Sequence, residues 1–107
     1  MRGIALVKIA HGVFGALGAF HVFLGAMLDY RFGYTAPGAP NAATGETFPW
    51  DISDEDDWGP QLVYITEADH AKWQAFMTVG AVFLAICGAL TLYLLWNARR
   101  EGRTSIY

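Results

Sequence analysis

The chain has 107 residues, 54% of them hydrophobic and only 16% charged, against about 25% charged in typical soluble domains, and it is too short for two folded domains. Its formal charge of −3 is uneven: nine of ten acids lie between Asp29 and Lys72 with Arg31 and Lys72 as the only bases there, while the flanks carry Arg2, Lys8, Arg99, Arg100 and Arg103 against Glu101. This pattern excludes a basic nucleic-acid-binding face, and the single cysteine, Cys87, excludes an intrachain disulfide.

After a short N-terminus (residues 1–3), residues 4–28 read IALVKIAHGVFGALGAFHVFLGAML. A run of this length crosses a hydrocarbon core of about 30 Å as a helix. Lys8 lies near enough to the end to snorkel to the N-terminal surface. A signal peptide is the competing reading. The run is too long for that and is interrupted by His11 and His21, so a retained helix is expected. The helix is rich in small residues, Gly18 and Gly25 among them, and Gly12-xxx-Ala16 and Gly15-xxx-Ala19 are small-xxx-small pairs of the kind that let helices approach closely in lipid.

Residues 29–66 connect the two apolar runs. Pro37, Pro40, Pro49 and Pro60 oppose regular structure. Yet Tyr30, Phe32, Tyr34, Phe48, Trp50, Trp58 and Tyr64 are too many large apolar groups for a solvated linker. Gln61–Thr66 reads as a short strand or an extended segment lying on a partner. The acids from Asp51 to Asp57 resemble a calcium loop only loosely. Counted from Asp54, Trp58 and Ile65 fall where an EF-hand needs oxygen ligands, so that motif fails.

Thr66 with Asp69 three residues on marks a helix start. The second helix is expected over residues 67–100, with a membrane-spanning part at 73–97. No Asp, Glu, Lys, Arg or His lies between Lys72 and Arg99, and Trp73 and Trp96 bracket the run as an aromatic belt would. Thr78, Ala81, Ala85 and Gly88 make a small-residue stripe, expected to face Gly15 and Gly18 of the first helix or a neighbouring subunit. Gly102 is the expected helix stop, leaving a tail at 101–107.

The sequence therefore predicts an all-α membrane protein: a two-helix antiparallel transmembrane hairpin with a long, largely irregular extracytoplasmic loop. Basic tails and an acidic loop predict that both termini are cytoplasmic, in a bacterial inner membrane with the loop in the periplasm.

Candidate chemistry centres on His11 and His21, because ionisable residues inside a membrane are functional candidates by default. Ten residues apart, they lie about 15 Å apart along the helix and cannot share one metal. Each is suited to be an axial ligand of haem or a bacteriochlorophyll-type ring, with Gly18 and Gly25 leaving room beside His21. The alternative is that each imidazole simply hydrogen-bonds a neighbouring helix. His70, at a wet helix end among acids, reads as a solvated face rather than a metal site. No nucleophile elbow, phosphate loop or metalloprotease motif is present, so no enzyme activity is expected. The leading expectation is a non-catalytic accessory subunit of a larger respiratory or photosynthetic membrane complex. It would be held to other integral membrane subunits by its helix stripes and by Trp50, Trp58 and Tyr64 of the loop, in contact with the lipid bilayer. The alternatives are a pigment- or haem-binding subunit using His21 or His11, and a homo-oligomeric channel or transporter subunit.

Overall fold

A computed structural model describes residues 2–52 and 62–107. The elements in chain order are helix α1 (Arg2–Thr35), strand β1 (Phe48–Asp51), strand β2 (Leu62–Ile65) and helix α2 (Glu67–Arg100). Both helices are long and apolar enough to cross a membrane, and only 6% of the most apolar window of each is buried within the protein. The core helix of a soluble protein is mostly buried, whereas these two leave most of their apolar surface uncovered by the chain itself.

Local chemistry sets the helix ends. Thr66 caps α2, its Oγ1 accepting from the Asp69 backbone N–H at 3.0 Å. Glu67 and Asp69 sit in the first turn and Arg99 and Arg100 in the last, complementing the helix dipole at both ends. Gly102 takes a positive φ of 71°, and the Gly102 and Arg103 backbone N–H groups donate back to Arg99 and Ala98 at 3.1 and 2.8 Å. That pair of bonds is a Schellman cap, which only a residue tolerant of left-handed φ makes without strain. Helix α1 runs past residue 28, through Asp29, Tyr30 and Arg31, to Thr35. Ala36 still donates to Phe32 at 3.0 Å, and Pro37, which has no N–H, ends the run.

The chain divides into two compact units, residues 1–22 with 78–107, and residues 23–77. In the first, the two helix segments pack antiparallel along a close seam. A Cβ added at Gly18 would lie 2.7 Å from Leu84 Cγ, and one at Gly80 would lie 3.1 Å from the Val22 backbone nitrogen and 3.2 Å from the Gly18 carbonyl oxygen. Absent side chains are therefore what bring the backbones together. Leu94 and Ala98 are buried farther along α2. The α2 seam reads Gly80, Leu84, Cys87, Thr91, Leu94, Ala98, the alternating four-three spacing of helices wound in a left-handed sense.

In the second unit the connection is more ordered than the proline content predicts. Asn41 and Glu46 exchange backbone hydrogen bonds across a turn, with Gly45 at φ 78° and Asn41 Oδ1 accepting from Ala43 N–H at 3.1 Å. Strands β1 and β2 pair antiparallel, Phe48 opposite Ile65, Pro49 opposite Tyr64 and Trp50 opposite Val63. Pro49 is tolerated because each strand of a two-stranded sheet has a free edge. The Tyr64 N–H donates to the Pro37 carbonyl at 2.9 Å, fastening β2 to the chain leaving α1. Phe32, Ile52, Val63 and Ile65 are buried together as a small core. The strand expected in Gln61–Thr66 is present at Leu62–Ile65; its partner β1 was not expected.

Candidate functional site

His11 sits in a directional chain of hydrogen bonds. Its Nε2 lies 2.7 Å from Thr91 Oγ1, its Nδ1 pairs with the Tyr107 hydroxyl, Thr91 donates to the Cys87 carbonyl at 2.9 Å, and Cys87 Sγ lies 3.6 Å from the His11 carbonyl. For a neutral imidazole these contacts admit one assignment. Thr91 spends its proton on Cys87 O, so Nε2–H donates to Thr91 and Nδ1 accepts from Tyr107. Both ring nitrogens are engaged in these contacts. The network pairs the side chains of His11, Thr91, Cys87 and Tyr107 with one another or with backbone carbonyls.

His21 carries the opposite tautomer. Its Nδ1 lies 2.7 Å from the Leu17 carbonyl, which only accepts, so Nδ1 bears the proton. The ring packs against Phe20 and Phe83, with centroids at 5.9 and 5.5 Å. Leu84 occupies the hollow at Gly18 and Met77 the hollow at Gly25, each coming within 2.7 Å of where a Cβ would stand.

Of the two orientations expected for the α2 stripe, toward α1 or toward a neighbouring subunit, the first is not the one seen. Gly15 and Gly18 face α2 as expected, Gly15 against Cys87 Sγ. Ala81 and Ala85, however, are exposed, together with Thr78 and Gly88, and no atom lies within 4 Å of a Cβ built at Gly88. That stripe has the expected period but lies roughly 120° around α2 from the seam, at about 100° per residue. Gly80, with no side chain at all, takes the closest approach instead.

The aromatic loop residues also separate. The sheet register turns Phe48, Trp50 and Ile52 inward and Pro49 and Tyr64 outward. The Trp50 indole N–H donates to Asp29 Oδ1 at 2.7 Å. Its ring lies edge-on to Phe32 at 5.4 Å and to Trp73 at 4.7 Å. Trp50 is therefore packed against α1 and the start of α2. His70 is no solvated residue either, since its ring stacks on Phe48 at 4.0 Å and 23°. The spacing of His70 and Trp73, one helical turn apart, was the available signal for that cluster. Tyr64 stays on the outer face. Trp58 and the acids Asp54 to Asp57 lie outside the described residues. Among the described residues no three His, Cys, Asp or Glu side chains are grouped to hold a metal ion.

No family model, curated protein or solved structure matches the chain.

Proposed function

We propose that this chain is a two-span membrane protein that serves as a non-catalytic accessory subunit of a larger membrane energy-conversion complex, respiratory or photosynthetic. Its termini are cytoplasmic and its acidic loop lies on the opposite side, in a bacterial inner membrane. The observation that carries the reading is the division of α2 into two faces. One is consumed by the seam with α1. The other carries exposed small residues, Thr78, Ala81, Ala85 and Gly88, that the chain itself does not use. In lipid, such a face gains little from acyl chains and much from close contact with another helix. The outward Tyr64 offers the loop a second contact. Thr91 and Cys87 are spent on the His11 network, which leaves the channel alternative with little polar lining on α2.

The test is purification of a tagged chain from its native membranes in mild detergent. It is expected to elute with other integral membrane proteins in fixed ratio, and Ala81→Leu with Ala85→Leu to release it while the helices remain intact. A wild-type chain that runs alone, or a double variant retained at full stoichiometry, contradicts the reading.

A further inference from the structure

The second unit contains a groove of about 530 Å³ along α1 and the start of α2, within the roughly 300–1,000 Å³ usual for small-ligand sites. Its apolar wall is formed by Leu24, Met27, Leu28 and Phe76, and Arg31 and Lys72 line it as well. The helical rise orders these groups. Leu24 lies about 10 Å below Arg31 along α1, and Phe76 about 6 Å from Lys72 along α2, both away from the loop. Two turns of apolar surface thus lead up to a pair of bases.

Arg31 and Lys72 are the only basic residues in a segment holding nine acids, and both converge on this groove. The ion pair of Arg103 with Glu101 lies elsewhere, at the end of α2, and does not involve either base. Both bases also line an adjoining polar pocket of about 180 Å³, together with Glu46 and Asp69, while these two acids do not line the groove itself. A groove apolar at one end and doubly cationic at the other matches one class of molecule, an acyl chain ending in an anionic phosphodiester. Tyr30 and Tyr34 flank the same groove, at the level where aromatic side chains meet lipid head groups.

We propose that this groove is a site for one anionic glycerophospholipid, its phosphate held between Arg31 and Lys72 and one acyl chain lying along Leu24, Met27 and Phe76. The proposal rests on the membrane reading above. A lipid seated there would link the aromatic cluster of the loop to the bilayer surface.

The experiment reconstitutes the full chain in vesicles of phosphatidylcholine with one fifth phosphatidylglycerol, extracts it in mild detergent, and counts bound lipids by native mass spectrometry. The wild type is expected to retain one phosphatidylglycerol per chain in preference to phosphatidylcholine. Arg31→Gln with Lys72→Gln should lower that retention about thirtyfold, at about fivefold for each base near a membrane surface. Met27→Trp, which fills the groove and keeps both charges, should also abolish it, while Lys8→Gln should not. Helix content by circular dichroism confirms that each variant is folded. Equal retention of the two lipids, or full retention by the double variant, overturns the site. Flotation of the wild type with pure phosphatidylcholine vesicles after an alkaline wash separates the two readings. A chain that floats but shows no preference refutes the lipid site alone, and one that does not float refutes the membrane reading and the site with it.

Discussion

The indole N–H of Trp50 donates to Asp29 Oδ1 at 2.7 Å, joining the first strand to the last turns of α1. The bond explains two local features. It gives Asp29, half-buried at that point, a partner for its charge, and it fixes the ring against Phe32 and Trp73. A hydrogen bond to a carboxylate contributes more than a neutral one, about 1.5–3 kcal/mol. Trp50→Phe keeps most of the ring packing and removes the donor. It is expected to lower the stability of the second unit by about 1–3 kcal/mol, and Trp50→Ala to lower it by more. Thermal melts followed by near-ultraviolet circular dichroism check this; a Trp50→Ala protein that melts like wild type would return Trp50 to the role of a partner contact.

Glycines with and without close neighbours give opposite expectations. Gly18→Ala and Gly80→Ala place a methyl group against Leu84 and against the Val22 backbone, and overpacking of this kind costs about 1–3 kcal/mol. Gly12→Ala and Gly88→Ala meet open space and are expected to be neutral or slightly stabilising, because Ala is the better helix former by about 1 kcal/mol. Unfolding titrations in mixed detergent micelles distinguish the two pairs.

Both helices were legible because an apolar run of this length has few other fates, and Thr66 and Gly102 announced the ends of α2 through capping chemistry. The end of α1 was not. Asp29 and Arg31 look like a break, yet polar side chains do not stop a helix whose backbone bonds continue, and the stop is Pro37. Strand β1 was hidden by Pro49, which argues against a central strand but not against one with a free edge. The choice of face on α2 was also hidden. Two stripes share the same period, and the one that packs is selected by the fit of Gly80 to Val22 and of Leu84 to Gly18. Of the site residues, Gly15 and Gly18 lie against Cys87 and Leu84 of α2. The partners of His11 were not legible, because Tyr107, 96 positions away, is one of them.

The His11 network predicts that the C-terminal tail is held. Tyr107→Phe removes the proton donated to Nδ1, and Thr91→Val removes the acceptor for Nε2–H. Each is expected to cost about 1 kcal/mol or somewhat more. The tail should then open more often, so limited trypsin treatment should cleave after Arg103 faster in both variants than in the wild type. Unchanged cleavage rates would show that the tail is held by other contacts.

The cap at the end of α2 makes a separate prediction. Gly102→Ala forces a Cβ into a left-handed conformation at φ 71°, with a cost of about 1 kcal/mol. Gly38→Ala, with open space around it and no positive φ, is expected to leave the melting temperature unchanged. A Gly102→Ala protein as stable as wild type would mean that the terminal turn frays freely.

The central claim is that both helices cross one membrane with the loop on the far side from the termini. Single-cysteine labelling tests it most directly. In a Cys87→Ser background, Ala42→Cys marks the exposed turn of the loop and Ser105→Cys marks the exposed tail. With a membrane-impermeant maleimide and intact cells, with the outer membrane made permeable where one is present, Ala42→Cys is expected to label at once and Ser105→Cys only after the inner membrane is opened. Equal labelling of the two sites before opening, or labelling of Ser105→Cys alone, would contradict it.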